Sequence, residues 1–527
     1  MRASLLSFIL LLTLTTAGFA QRNLSIRSTL QIPGQTLAGC WHYEDGSGKI
    51  YALVGAAQGI IIIDITDPSS PQQLFQLPGA SSLWHEVKVQ GDYAYAVSEG
   101  VDSLGIKNGL QIIDLRFLPD SAPNKFWQGD GAWAGQLLTG HTVTTAGNFV
   151  YVNGHNLSSL GRGVFIADIS DPWNPTYVGA VTSRYCHDSY VRGDTIWTSD
   201  IIDGLFSVYD ITNRQNPILL ATQQTPGQFN HNSWLSDDGR TLFTTDERSN
   251  EPLAAFDVSD LSNISLLDEF YNENMSSAEV HNIRVINDYL INPSYGSQLT
   301  IADASDPENL IEVANFPTGS SLCWDADPYL SNGLIIATDM SSGIFYVFEP
   351  NYVRAARLEG TVTDSVSGLP LSDVAVELLS TTRPVRNTNL LGKYKTGIVD
   401  AGAYTVRFSK AGYQTKDVTG INLVNGSLLT LDVQLVSSSI GIEEHDQYAA
   451  LVAFPSPVDE FLNIRLASNA PVDWMISDSQ GRLVSQGKMV PASSSLVLPV
   501  NELAQGVYSI RLSQSSQLRQ GRFIVAR

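Results

Sequence analysis

Six histidines recur along the first two thirds of the chain: His42, His85, His141, His187, His231 and His281. Each opens a short run of alternating apolar residues, and a seventh run opens on Trp324 behind Cys323. From His42 to Trp324 the marks recur at a mean of 47 residues. Imidazole is the commonest side-chain ligand for metals. Six in register would suit a divalent transition metal such as Zn, Fe, Mn or Cu at a channel mouth. The acids Glu86, Asp188, Glu279 and Asp325 lie next to these marks and could support them. An ion with open positions would permit metal-assisted hydrolysis or oxidation. The bland reading is different. Each imidazole could bond the acid that ends a following strand, such as Glu99, Asp200 or Asp246, and tie its own repeat together. Both readings stand at this level.

The elements that would carry these residues are strands. A second mark, an apolar strand ending in an acid, appears at Asp64, Asp114, Asp168, Asp210, Asp257, Asp303 and Glu349. Turn sequences follow it, as in DITDPSSP, DISDPWNP and DITNRQNP. An Asp at a strand end caps the next backbone N–H groups, and the Pro forbids further ladder pairing. These acids are therefore expected to be structural. Seven units of this period, each of four short strands, predict a seven-bladed β-propeller. The last unit stops after three strands. The stretch Leu24 to Ile32 is a lone strand that would supply the fourth and close the ring.

The three cysteines occupy one place in their repeats: Cys40 before His42, Cys186 before His187 and Cys323 before Trp324. Closing the ring makes the first and seventh blades neighbours, and an oxidising compartment would allow a Cys40–Cys323 disulfide there. Alternatively all three are small apolar residues filling the channel wall.

Composition narrows the setting. The chain has 527 residues and a net charge of −22, from 31 basic and 53 acidic side chains, with no basic run, which argues against nucleic acid as a partner. Residues 1–20 read as a signal peptide cut after Ala20: Arg2, an apolar run from Leu5 to Leu14, then small residues. That run is too short to span a bilayer, and no other stretch approaches the length of a transmembrane segment. The nucleophile elbow, P-loop, zinc-protease and dinucleotide motifs are absent from the sequence. The longest connection, Arg116 to Gly140, carries Trp127 and Trp133. These are either a ligand platform or a flap packed on a blade rim.

The strand-plus-acid repeat over residues 21–350 resembles the LVIVD-repeat family (choice-of-anchor B type), found in secreted surface proteins. That resemblance implies a propeller and a setting, and no catalytic residue. Residues 356–436 carry RLEGTVTDSVSGLPLSDVAVELL and GAYTVRFSKAGY. They resemble the carboxypeptidase regulatory-like domain, a transthyretin-like, carbohydrate-binding-like β-sandwich. Residues 437–447 form a polar linker, SSSIGIEEHDQ. Residues 448–527, with FPSPVDEFLNIRL, WMISDSQGRLV and LAQGVYSIRL, resemble the type IX secretion C-terminal sorting domain, a small β-sandwich. Ser456-Pro457 stands where that family usually has Asn-Pro. The resemblance implies the type IX secretion machinery as a partner and the extracellular space or outer-membrane surface of a Gram-negative bacterium as the destination. The expected protein is all-β with three separate units. Its first expected function is binding an extracellular protein or glycan; the alternative is a metal-dependent hydrolase or oxidase using the channel histidines.

Overall fold

The structure is a computed structural model. It describes residues 21–102, 104–273, 278–296, 298–317, 322–438, 449–466, 468–491, 494–515 and 517–527. The expected signal peptide with its cut at Ala20, and most of the 437–447 linker, lie outside the described residues.

The chain is nearly all β-structure. Residues 24–350 form seven antiparallel sheets. Their first strands are Leu37–Glu44, His85–Gln90, Thr142–Ala146, Asp188–Arg192, Asn230–Leu235, Glu279–Val280 with Arg284–Ile286, and Cys323–Asp327. In the sixth sheet this first strand is broken between Val280 and Arg284, and both pieces pair with Tyr289–Tyr295. A four-stranded sheet has two faces to bury, and stacking the sheets radially covers both. Seven apolar clusters do this, one between each neighbouring pair of sheets. The cluster around Ile61, Cys40, Ile336 and Val347 joins the first sheet to the seventh and closes the ring.

Leu24–Gln31 supplies the outer strand of the seventh sheet. It runs antiparallel to Ile344–Pro350, with Leu24 opposite Pro350 and Gln31 opposite Ile344. The acids ending the third strands behave as caps. Asp64, Asp168, Asp210, Asp257 and Asp303 each accept the N–H two residues on, at 2.6–3.0 Å. Glu349 departs from this and faces Arg27 at 3.7 Å.

Residues 356–435 form two further sheets around Leu358, Val376, Val406 and Phe408. Residues 449–525 form a last pair around Leu462, Ile464, Ile510 and Phe523. The first of these sandwiches is not a free bead. Arg357 and Arg354 reach Asp303 at 3.2 and 2.9 Å. Arg383, buried, donates to Asn309 Oδ1 and to the Leu310 carbonyl. Arg386 pairs with Asp268 at 2.8 Å. The sandwich thus docks on the fifth and sixth sheets through Arg357 and Arg383, which are buried, and Arg354 and Arg386, which are half-buried.

Candidate functional site

The innermost strands line the channel, and register decides which side chain lies at which depth. Thr245 Oγ1 donates to the His281 carbonyl, and Thr338 Oγ1 makes the same bond to the Ala38 carbonyl. Ile283 N donates to Asn232 Oδ1 as Cys40 N donates to Asp325 Oδ2. The structural equivalents are thus Ala38, His85, His141, His187, His231, His281 and Trp324. His42 sits four residues further along its strand. A register shift between Leu37 and Cys40 lies just before it. His42 therefore leaves the histidine layer and bonds Asp327 of the seventh sheet instead, Nδ1 to Oδ2, at 2.7 Å.

Four of the remaining imidazoles form a ladder of tilted rings along one channel mouth. Ring centroids are 4.1 Å apart for His141–His187, 4.2 Å for His187–His231 and 4.1 Å for His231–His281, and the row ends on Trp324 at 4.7 Å from His281. His187 Nδ1 donates to the His231 carbonyl at 3.0 Å, and His281 Nδ1 to the Trp324 carbonyl at 2.6 Å. His141 Nδ1 faces Glu99 at 3.1 Å. His85 is buried apart from the ladder, and burial lowers its pKa to about 4. The six-membered ring expected from sequence is therefore not assembled. Own-repeat pairing with Asp200 or Asp246 is not found either. Asp200 accepts from Ser207, and Asp246 accepts from Thr225 and from the Gly227 and Phe229 amides. What the ladder does bring together is His231, His281 and Glu247, whose donor atoms lie within 4.8 Å of one another.

The expected supporting acids do not touch the imidazoles. Glu279 accepts from Ser249. Glu86, Asp188 and Asp325 lie one residue beyond the histidine place; Glu86 and Asp325 are buried and Asp188 is half-buried. Glu86 pairs with Lys88. Asp325 pairs with Arg284 at 2.8 Å. Asp188 accepts from Asn232 Nδ2 at 2.6 Å and from the Ser189 amide at 2.7 Å. Burial pushes Glu86 up, against the pull of Lys88, and it also pushes Asp188 up. Burial opposes the charge on Arg284, but Asp325 and Glu86 outweigh it and raise its pKa.

Below this layer lies a cavity of about 190 Å³. Trp41, Lys88, Tyr190, Trp234 and Arg284 line it, with Tyr329 and Asn232. Lys88 Nζ is 4.7 Å from the Trp41 ring centre. The Arg284 guanidinium is 4.9 Å from that of Trp234, and Tyr190 packs on Trp234 at 4.7 Å. Cations over indole faces are held by the ring quadrupole and keep those faces in place. The cavity combines apolar ring faces with charged and amide groups at fixed positions, which is the make-up of a ligand site. Sequence reading missed these residues, although a signal existed. Trp41, Lys88, Tyr190, Trp234 and Arg284 each lie three residues after the histidine place, so the repeat itself indexes them.

The other candidates resolve structurally. Cys40, Cys186 and Cys323 are free, buried thiols. Cys323 packs between the sixth and seventh sheets and Cys40 between the seventh and first, so the two lie on opposite faces of the seventh sheet. The expected disulfide is not formed; each thiol packs in an apolar cluster between neighbouring sheets. Trp127 packs edge-on against Phe165 and Trp133 against Tyr177, which makes the long connection a flap on the third sheet.

Residues 47–76 and 141–183 match the LVIVD repeat. Residues 357–436 match the carboxypeptidase regulatory-like domain, and residues 452–526 the secretion system C-terminal sorting domain. No curated protein matches the chain. Among solved structures, the chain is similar to the β-propeller domain of Cps50 (Swd1) from Myceliophteria thermophila, at 11% identity and a TM-score of 0.44, over 62% of this chain and 100% of that one. No described helix is long and apolar enough to cross a membrane. The type IX sorting domain marks the protein for secretion or cell-surface attachment through that machinery. Repeats and sorting domain together fit a secreted protein.

Proposed function

We propose that this chain, an all-β propeller protein with LVIVD repeats, a regulatory-like sandwich and a sorting domain, is a surface-delivered binding protein. Residues 21–350 form its working propeller, 356–436 a docked sandwich and 448–527 the sorting unit. Its ligand is an extracellular glycan or the side chain of an extracellular protein, seated in the channel cavity. The observation that carries this reading is the pairing of the Trp41 and Trp234 faces with Lys88, Arg284 and Asn232 around one cavity. Sugars and polar side chains present both an apolar face and a hydroxyl or charged rim, and such a wall satisfies both. Every cation in the cavity has an acidic partner on the far side, so the groups are held in place before a ligand arrives.

The test is a screen of the full-length secreted protein on a glycan microarray and against extracellular matrix proteins, with Trp234→Ala beside it. Binding that falls at least roughly tenfold in the variant supports the cavity, a loss of about 1.4 kcal/mol. Undiminished binding in the variant moves the site elsewhere on the protein.

A further inference from the structure

The channel mouth lined by the histidine ladder carries a second site. His281 Nδ1 lies 2.6 Å from the Trp324 carbonyl oxygen. A carbonyl only accepts, so Nδ1 holds the ring proton and Nε2 presents a lone pair. That Nε2 is buried and has no hydrogen-bond partner, and His281 is 1% exposed. It faces Glu247 Oε1 at 3.9 Å, while the other carboxylate oxygen, Oε2, faces His231 Nε2 at 3.7 Å. These separations are too long for hydrogen bonds. One carboxylate thus offers an oxygen to each of two ring nitrogens across a shared gap, and a buried acceptor facing an acceptor is left unsatisfied unless something positive lies between them.

We propose that His231, His281 and Glu247 bind a divalent transition-metal ion of the zinc class. Two imidazoles and one carboxylate are a ligand set such ions favour, and they leave positions open for water. Ligand atoms about 2.1 Å from one ion lie roughly 3.0–3.5 Å from each other. From their present spread within 4.8 Å, the three donors need to close by roughly 1.3–1.8 Å at most. The surroundings already aim them. The Trp324 carbonyl fixes the His281 tautomer, and tilted ring contacts of His187 with His231 and of Tyr295 with His281, at 4.2 and 4.3 Å, restrict the ring planes.

The experiment uses the full-length secreted protein, stripped with chelator and titrated with Zn²⁺ by calorimetry, with bound metal counted by mass spectrometry. One ion per chain is expected. Glu247→Gln should weaken binding at least tenfold, and His85→Asn, away from the three ligands, should leave it unchanged. No stoichiometric binding, or equal affinity in Glu247→Gln, overturns the site. Should Glu247→Gln fail to fold, Co²⁺ substitution in the intact protein decides. Visible bands of a low-symmetry nitrogen–oxygen site support the proposal, and the spectrum of the free aqua ion overturns it.

Discussion

His42 and Asp327 join the first sheet of the ring to the seventh: the ring nitrogen Nδ1 and the backbone amide of His42 both lie 2.7 Å from Asp327 Oδ2. Burial opposes the charge on each partner, but their mutual attraction and hydrogen bonding outweigh it. The His42 pKa is raised, and the Asp327 pKa is lowered.

A pH dependence of the seam follows. Stabilisation by His42 is complete below its ordinary pKa, about 6.5, and is lost as pH rises through the raised value in the folded protein. Stabilisation by Asp327 is complete above its ordinary value, about 3.9, and is lost as pH falls through the depressed one. The melting temperatures of wild type and His42→Ala should therefore differ most between those two values and converge above neutral pH. A difference that stays constant from pH 4 to 9 would show that the pair carries no net charge coupling.

Free-thiol titration in denaturant should return three thiols per chain, since Cys40, Cys186 and Cys323 are all unpaired. A count of one would mean that two of the buried thiols had found each other after a rearrangement of the seventh sheet.

Asp303 and Asp210 hold the same place in the repeat but not the same load. Asp210 caps its own turn at Thr212. Asp303 caps Ser305 and also accepts from Arg354 and from the Ala355 amide, while Arg357 stands at 3.2 Å. Asp303→Ala strands the buried Arg357 and the half-buried Arg354 and should cost roughly 3–5 kcal/mol. It should also expose the segment around residue 355 to limited proteolysis. Asp210→Ala should shift the melting temperature only slightly. Equal shifts for the two would mean that the docking contributes nothing.

Deleting residues 24–31 should leave Ile344–Pro350 as an unpaired edge and so produce aggregation, read by size-exclusion chromatography. A monodisperse truncated protein with an unchanged melting temperature would show that the ring does not depend on this strand.

Much of the architecture was legible because it rests on repetition. The acids at Asp64, Asp168 and Asp257 announce strand ends through their own chemistry, and the three-stranded last unit announces the need for Leu24–Gln31. The site was less legible, because chemical type and register part company there. His42 has the right side chain at the wrong depth, and Ala38 has the right depth with no functional group. Glu247 comes from the turn after a second strand, and nothing in the spacing of the histidines points to it over Asp246, its neighbour, which faces the other way to cap Gly227 and Phe229. The docking arginines, Arg357 and Arg383, gave no pattern at all, since an interface between unlike units has no period.

The bond from Ser25 Oγ to the Glu349 carbonyl spans 324 residues, and it fixes an order of events. The strand must wait for a partner synthesised 324 residues later, so an incomplete chain holds a loose strand and, once the seventh sheet forms, a matching vacant edge. The entropy of bringing them together rises only with the logarithm of the loop. A second chain offers the same strand to the same edge, at a cost set by concentration in place of loop length. Crowded chains should therefore trade Leu24–Gln31 and emerge as reciprocally exchanged dimers, while dilute chains close on themselves.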